Sequence, residues 1–543
     1  DFLKLPQIRK EGLKKFISTL ESEIELLDFI NCNKNMIDDD LFDAITKHPS
    51  FIKIRDLKFS ELKKLTARGI QKIFSSGNSS ITFSKFLESY SSSKEYIEAD
   101  IVAAAFKSSN FDAKIFNPTE FKNLTSAYIE DFFKSTHLSC IKELHLSANW
   151  ITRESMGYLS SPESYQLSNL EIIRFTNPFT KKFEKYIAYY VDSPNFQKIK
   201  QLYISECELG SEFFQYFAKS PYKSSLELLS FNKVRSDDGE AFDYFSTARS
   251  LVSLKNITIL NFTPIKSTML RNLSWANFNV KSLKFGAIDL PNIYEICRFL
   301  ATTEHYNTLE HLELFHLNLD DQFLQDLAQS QTLCNLKSIG LKRIPNFTIN
   351  GFKEYIRSYN VSKLESLTLI LSQMDNTWLK EIAESPRLKL LKNINVHCFY
   401  RRRDTEKDLT PGLTDIILSS KLESLDLATF LQNEARHVSD DLIVNAVCKS
   451  QRLERVTNLN LESCNITSQS ILALLSKINL NIFDLKAFLE NHKMCKFIDD
   501  NVYVKLTEGS QFKSKIMDID FNSYSGITIK GRLREMLKKS EFT

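Results

Sequence analysis

The chain has 543 residues, with 70 Lys and Arg residues against 67 Asp and Glu residues, 43% hydrophobic residues and nine cysteines. A formal net charge of +3 argues against a strongly basic nucleic-acid-binding chain, and the hydrophobic content excludes a wholly disordered one. Only 13 glycines and 12 prolines leave little room for long flexible linkers, and no run approaches the roughly 18 apolar residues of a membrane span.

The N-terminal segment 1–23 is predicted to form a capping helix. Leu13, Phe16, Ile17 and Leu20 recur at helical spacing within residues 2–20. The same pattern fits the helix of a first repeat that lacks its strand, and this alternative stays open.

From residue 24 onward one phrase recurs, an apolar residue followed at three and five positions by two more, as in Ile141, Leu144 and Leu146. Its middle residues lie 26–29 residues apart over ten copies: Leu144, Ile173, Leu202, Leu229, Ile257, Leu283, Leu312, Ile339, Leu367 and Ile394. Weaker copies centre on Leu27, Leu57, 81–83, 113–115, Leu425, Leu459, Phe483 and Ile519. Internal repetition at a fixed period predicts a solenoid, here of about eighteen units over 24–528, degenerate near 78–120 and 480–528.

Each unit is predicted to contain a short strand and a helix. In the copy at 141–146, Leu144 and Leu146 point inward and His145 points outward, because successive side chains of a strand alternate between its faces. Amphipathic helices follow, and several end at Ser-Pro pairs, at residues 161–162, 193–194, 220–221 and 385–386, since proline disfavours helical geometry in the residue before it. Stacked units then share one continuous core.

This phrase and its spacing resemble the leucine-rich repeat family, in particular its ribonuclease-inhibitor-like and cysteine-containing intracellular subclasses. The resemblance implies an α/β horseshoe with a parallel β-sheet on the concave face and helices on the convex face. The family places Asn or Cys three residues beyond the last strand apolar residue, and Cys32, Asn149, Cys207 and Cys464 occupy that position. Other repeats carry an apolar residue there, so we expect their turns to differ or to use water: Val234, Phe262, Ile288, Leu317 and Phe399.

Two basic segments stand apart from the repeats. Residues 529–543 are predicted to form a basic tail helix, interpreted as a solvated cap, with an acidic partner or a membrane surface as the alternative. Arg401, Arg402 and Arg403 lie in a predicted charged loop, interpreted as exposed loop charge, with contact to phosphate or an acidic patch as the alternative.

No motif for nucleotide binding, metalloprotease or serine-hydrolase chemistry is present. His305, His311 and His316 are interpreted as surface residues, and Cys207 and Cys464 as packing residues. The sequence therefore predicts no catalytic residue, no metal and no cofactor. The scattered, odd-numbered cysteines predict a reducing intracellular location, cytoplasmic or cytoskeletal and ciliary.

Outward positions of the predicted strands form the candidate partner-binding face. The face mixes charges, tends acidic towards the C-terminal end, and carries no continuous basic stripe, so we expect a protein partner and no nucleic acid. Homo-oligomerisation is not indicated. The candidate residues are His145, Arg174, Tyr203, Leu260, Lys284, His311, Glu313, Phe315, Ile370, Asp426, Glu462, Asp484, Asp518 and Asp520.

Three functions are compatible with this pattern. The first is a non-catalytic protein-interaction scaffold, a structural or adaptor subunit of a larger assembly such as the ciliary axoneme. The second is an F-box-like ubiquitin-ligase adaptor, for which Leu5, Pro6 and Ile8 are the weak sequence cue. The third is GTPase activation of the Ran type, with Arg174 or Arg343 near a strand–loop junction.

Overall fold

The computed structural model describes the greater part of the chain in two compact units, residues 1–279 and 280–543. The described residues are 10–18, 26–28, 38–54, 56–58, 66–76, 78, 80–89, 99–108, 110–121, 124–147, 150–161, 165–176, 183–236, 243–244, 248, 250–263, 279–286, 293–398, 408–516, 519, 521 and 524–528.

The first unit pairs short parallel strands with a series of helices. Two strands pair near its start, β1 (Leu26–Asp28) and β2 (Asp56–Lys58). Six more run parallel in chain order: β3 (Ile115–Phe116), β4 (Glu143–Ser147), β5 (Ile172–Thr176), β6 (Gln201–Leu209), β7 (Leu228–Ser236) and β8 (Asn256–Leu260). Its described helices are α1 (Lys10–Ser18), α2 (Asp39–Thr46), α3 (Ala67–Ser75), α4 (Phe83–Ser89), α5 (Ala99–Phe106), α6 (Ile129–Lys134), α7 (Arg153–Ser160), α8 (Phe183–Val191) and α9 (Ser211–Lys219).

The second unit starts with the same alternation and ends with helices. Its parallel strands follow chain order: β9 (Ser282–Gly286), β10 (His311–Phe315), β11 (Ser338–Lys342), β12 (Ser366–Leu371) and β13 (Asn393–Cys398). Its described helices are α10 (Ile293–Thr302), α11 (Asp321–Gln329), α12 (Ile349–Arg357), α13 (Asn376–Glu384), α14 (Thr410–Leu418), α15 (Leu427–Asn433), α16 (Asp440–Asn445), α17 (Ser468–Leu475), α18 (Leu485–Asn491), α19 (Asp500–Glu508) and α20 (Lys513–Ile516).

The repeat register is the one that the sequence predicts. Leu144 pairs with Ile173, which pairs with Leu202, and all three side chains are fully buried. The inward side of the strands packs on the helices, as where Phe231 of β7 lies with its ring centroid 5.8 Å from that of Phe214 in α9. The predicted α/β leucine-rich repeat solenoid fold is therefore confirmed in each unit. That one core runs through the whole chain stays a prediction.

The turns after several strands show how a repeat can lack Asn or Cys at this position. Within the described ranges, five non-glycine residues have a positive φ, and each immediately precedes a buried residue of the turn, a cysteine after the first and an apolar residue after the others: Glu206, Lys233, Asn261, His316 and Arg343. This left-handed residue bends the chain while inter-repeat hydrogen bonds continue, as from the Arg343 amide to the Ile370 carbonyl, 2.6 Å away. The structure thus satisfies these turns with backbone partners, and the following residue is free to be apolar.

The predicted helix ends at Ser-Pro are confirmed, and the serines have a second role. Helices α7, α9 and α13 end just before Ser161, Ser220 and Ser385, which are their C-caps. In many repeats, the hydroxyl of the serine that follows the helix donates to a backbone carbonyl at the end of the preceding repeat's helix. The pairs are Ser108–Phe74, Ser135–Phe106, Ser220–Val191, Ser330–Ala301, Ser385–Ile356, Ser419–Ala383 and Ser450–Ile417.

Removing one of these serine hydroxyls is expected to have a moderate cost. The Ser385→Ala variant leaves the Ile356 carbonyl without its buried donor at 2.8 Å, so we expect the free energy of unfolding to fall by about 1 kcal/mol. Urea unfolding checks this. The exposed Ser139→Ala variant is the control and should match the parent within about 0.5 kcal/mol. Equal effects of the two substitutions would contradict a stabilising role for these serine hydrogen bonds.

A buried lysine gives the first unit a testable pH dependence. Lys223 is fully buried, and its Nζ atom donates to the carbonyls of Ala218, at 2.8 Å, and Ser220. Burial lowers the pKa of Lys223 to about 8, against a smaller opposite effect of Asp192. Between pH 8 and 10.5 the unfolded chain therefore binds more protons at this group than the folded one, and the contribution to stability rises with pH.

We expect the unfolding free energy of the parent minus that of Lys223→Met to increase from pH 8 to pH 10, with a slope of at most about 1.4 kcal/mol per pH unit. Taking the difference removes the titration of buried cysteines such as Cys207, whose pKa burial raises. Chemical unfolding of both proteins at several pH values measures it. A difference that does not change with pH would contradict the assignment.

Strand predictions at the weak copies were only partly right. The copies at Leu27 and Leu57 fall on β1 and β2, whereas α4 begins at Phe83, where a weak strand was predicted. Leu425, Leu459 and Phe483 are buried as predicted, but none lies in a strand. The physical reason at Leu425 and Phe483 is helix capping, because the aspartates that follow them, Asp426 and Asp484, accept backbone N–H groups and start helices instead. Beside Leu459, the side chains of Asn458 and Asn460 accept backbone N–H groups.

Helix α15 covers the last strand of the second unit's sheet. The Asp426 amide donates to the Lys392 carbonyl at 2.9 Å, and the Asn433 side chain donates to the Ile394 carbonyl at 3.2 Å. Glu434, fully buried at the end of α15, accepts from the Val396 amide at 2.6 Å through Oε1. These groups, one backbone amide and two side chains, take the hydrogen bonds that a further strand would make with β13. They therefore protect this edge of the sheet from pairing with another strand.

The terminal predictions stay untested. Helix α1 lies inside the predicted cap, but residues 1–9 and the side chains of Leu13, Phe16 and Ile17 lie outside the described structure, as do Leu5, Pro6 and Ile8 of the F-box cue. The predicted tail helix 529–543 and the arginine loop 401–403 also lie outside it.

Candidate interaction face

The strands present alternate side chains on the side opposite the buried core, and we call this side the open sheet face. In the described strands β4–β8 and β9–β13 it carries the first, third and fifth residues of each five-residue core strand. Most of these side chains are half-exposed, while the second and fourth are buried. Parallel register places equivalent positions of neighbouring strands side by side, so predicted site residues form rows.

In the first unit, three of the predicted residues lie in one row, and two of them contact each other. His145, Arg174 and Tyr203 pair in register across β4, β5 and β6. The Arg174 guanidinium carbon lies 3.6 Å from the centroid of the Tyr203 ring, a cation–π contact. The sequence placed these residues on one face, and the structure adds that they form a single cluster.

Glu143 holds this cluster together, although it was not among the predicted site residues. Its Oε1 atom accepts from Arg174 Nε at 2.5 Å and lies 2.8 Å from His145 Nε2. Burial alone would raise the pKa of Glu143, but the bonds from Arg174 and His145 hold that pKa below its ordinary value. The carboxylate is therefore ionised at neutral pH, and it fixes the orientation of Arg174 beneath Tyr203.

In the second unit, Glu313 is the centre of a comparable network. Its Oε1 atom lies 3.0 Å from Lys284 Nζ on β9 and 2.8 Å from Lys342 Nζ on β11. Burial would raise the pKa of Glu313, yet the two lysines keep it lowered. One carboxylate thus faces two lysines, and this part of the face is not acidic.

Apolar side chains occupy the fifth position of three strands, β8, β10 and β12. Phe315 and Ile370 lie on either side of Lys342 in register, and all three are half-exposed. Arg343 places its guanidinium 5.4 Å from the Phe315 ring centroid. In the first unit, half-exposed Leu260 holds the same position on β8. The open sheet face therefore combines ordered charges with accessible apolar surface.

The predicted acidic end of the face is wrong for the residues that can be checked. Asp426 and Asp484 are helix N-caps, accepting from the amides of Ala428 and Ala487 at 3.1 and 2.9 Å, and Glu462 lies in a turn. None of the three lies on a strand, because aspartate favours capping over strand structure. Asp518 and Asp520 lie outside the described residues.

The three histidines near β10 and the two arginines of the GTPase-activating hypothesis occupy different kinds of structural position. His311 is exposed at the start of β10, His316 occupies the left-handed turn position after it, and His305 lies in the 3-10 turn before it. Arg174 lies in the middle of β5, away from the strand–loop junction that the GTPase-activating hypothesis requires, whereas Arg343 does follow β11 directly.

The thiols and the helices add two findings. Every cysteine whose side chain the structure describes is a free thiol, and burial raises the pKa of Cys207 above its ordinary value, which makes it unreactive. Among the described residues, none of the helices has the length and apolar character needed to cross a bilayer.

The described strands and helices have the α/β leucine-rich repeat solenoid fold. No family model matches the chain, and no curated protein matches it in sequence. Among solved structures it is similar to an internalin from Listeria monocytogenes, with 16% identity, a TM-score of 0.32, and coverage of 65% of this chain and 92% of that one.

Two further structures show the same degree of similarity. The complex of Rad7 and Elc1 from yeast matches at 14% identity with a TM-score of 0.32, over 64% of this chain and 79% of that one. The complex of TLR13 with single-stranded RNA13 matches at 15% identity with a TM-score of 0.36, over 81% and 60%. The fold assignment rests on the strand register of the chain itself.

Proposed function

We propose that this protein is a non-catalytic interaction scaffold that binds a protein partner on its open sheet face, as a structural or adaptor subunit of an intracellular assembly. The observation that carries the proposal is the cluster of Glu143, His145, Arg174 and Tyr203, in which the side chain of Arg174 is already held in place. An arginine stacked on a tyrosine and pinned by a carboxylate is the kind of anchor that dominates protein–protein binding energy.

The physical advantage of such a cluster is that little side-chain conformational entropy is lost when a partner binds. Because Arg174 is already held by Glu143 and Tyr203, binding loses little side-chain freedom there. Half-exposed Leu260 supplies apolar contact area on this face in the first unit, and Phe315 and Ile370 supply it in the second. This mixture of charged, aromatic and apolar groups matches the composition of protein interfaces, and the free thiols fit a reducing compartment.

Affinity purification combined with cross-linking mass spectrometry tests the proposal. We expect cross-links from the partner to concentrate on lysines of the open sheet face, such as Lys284 and Lys342. Cross-links confined to the helices, recovery of nucleic acid without a protein partner, or a turnover activity abolished by one substitution would each contradict it.

Substitutions in the row give a quantitative prediction. The Tyr203→Ala variant removes the aromatic surface and the support of Arg174, so we expect the partner's Kd to rise by about 30-fold, equivalent to about 2 kcal/mol. Titration by calorimetry against the partner identified above measures it. The control is Tyr359→Ala, because Tyr359 is 65% exposed and lies in a 3-10 helix outside the strands. Equal Kd values for both variants and the parent would exclude the row from the interface.

A further inference from the structure

Three metal-ligating side chains converge next to the edge strand of the second unit. His397 lies on β13, Glu434 directly follows α15, and His437 ends the 3-10 turn after it. Their ligand atoms, imidazole nitrogens and a carboxylate oxygen, all lie within 4.8 Å of one another. Glu434 and His437 are three residues apart, a spacing that brings both to one side of a helical turn, whereas His397 comes from the preceding repeat.

The carboxylate of Glu434 is only half used by the protein. Its Oε1 atom accepts the Val396 amide, but Oε2 is buried and has no hydrogen-bond partner. The residue as a whole has 0% exposure. An unsatisfied buried carboxylate oxygen is costly, and in native proteins such groups usually have a proton, an ion or another partner. The hydrogen bond that caps the sheet edge uses Oε1, and Oε2 is left without a partner.

The site is open on one side. His397 borders a groove whose other walls are Gln432, Asn433, Arg436, Asn460 and Ser463. His397 and His437 are half-exposed, so an ion can reach the imidazoles from solvent while Glu434 remains covered. Arg436 lines the same groove and opposes a cation.

We propose that His397, Glu434 and His437 bind a divalent transition-metal ion of the zinc class, with a fourth position open to the groove. Two imidazoles and one carboxylate are a donor set that Zn²⁺ uses when one position is left to water or another ligand. Zinc–ligand distances of about 2.0–2.2 Å require the three ligand atoms to approach one another more closely than 4.8 Å. Rotation of the two half-exposed imidazoles provides this approach.

The test uses the full chain, freed of metal with a chelator and titrated with ZnCl₂ by calorimetry and thermal unfolding. We expect one Zn²⁺ per chain and a higher Tm with zinc. The variants His397→Ala and His437→Ala should each weaken binding by roughly tenfold or more, since even residues that only orient metal ligands have effects of that size. The control His137→Ala changes a histidine of the first unit and should bind like the parent.

The Glu434→Gln variant separates metal binding from folding. The amide oxygen can still accept from Val396, whereas the charged ligand is lost, so the metal-free Tm should be maintained while the zinc-dependent rise shrinks. Visible absorption of bound Co²⁺, lost in the histidine variants, would identify imidazole ligation. No zinc binding by the parent, or unchanged binding in both histidine variants, would overturn the proposal. Neither result bears on the row around Arg174, which lies in the first unit.

Discussion

Replacing Phe132 with alanine is expected to lower the free energy of unfolding by about 3–5 kcal/mol. Phe132 is fully buried in α6, and its ring centroid lies 4.7 Å from that of Phe116 and 5.0 Å from that of Phe106. Trp150 lies 5.8 Å away in an edge-to-face arrangement. Removing the ring therefore loses several aromatic contacts and leaves a cavity among rigid neighbours that cannot collapse into it.

Urea unfolding followed by tryptophan fluorescence measures the effect, because Trp150 is part of the cluster. A Phe132→Leu variant should lose less, since it retains most of the apolar volume. Tyr359→Ala, at a 65% exposed residue, should stay within about 0.5 kcal/mol of the parent. A loss below about 1 kcal/mol for Phe132→Ala would mean that the cluster is not packed as described.

The Gly286→Ala substitution is expected to destabilise the second unit by about 3 kcal/mol, the upper end of overpacking effects. Gly286 ends β9 opposite Phe315 of β10, and a Cβ atom at this position would lie 2.0 Å from the Phe315 carbonyl oxygen. Because the obstacle is backbone, no side-chain rotation can relieve it, and the two strands would have to separate.

Two other glycines are matched controls for this prediction. At Gly340 an added Cβ would meet the flexible Glu313 side chain at 3.1 Å, so Gly340→Ala should be mild. At Gly157, inside α7, no atom lies within 4 Å, so Gly157→Ala should raise the unfolding free energy by about 0.5–1 kcal/mol. Thermal and urea unfolding of the three variants decide the matter, and an order other than Gly157, Gly340, Gly286 from most to least stable would contradict it.

The partner-binding and metal-binding proposals meet on the second unit's sheet, because His397 is the fifth residue of β13 and pairs in register with Ile370 of β12. The row around Arg174 belongs to the first unit, whereas His397, Glu434 and His437 belong to the second. A zinc ion in the second unit would add a positive charge near half-exposed Asn395, which directly precedes Val396 on β13. Measuring partner affinity with and without chelator would show whether the two surfaces are linked.

The sequence by itself determined which residues are buried and where most strands and helices lie. The spacing of Leu144, Ile173 and Leu202 predicted their shared register, and the Ser-Pro pairs predicted helix ends such as that of α13. Apolar periodicity reports burial, because the side chains that face the core are mostly apolar. Leu425 and Leu459 are accordingly buried although they are not in strands.

Only the tertiary structure decided how residues from different repeats combine. The contact between Glu143 and Arg174 joins positions 31 residues apart, and Glu434 meets the Val396 amide across 38. Such contacts depend on the stacking of neighbouring repeats, which a single-repeat pattern does not encode. The choice of a helix rather than a strand after Asp426 likewise depended on capping bonds that form only when the chain is folded, because both choices bury the same leucines.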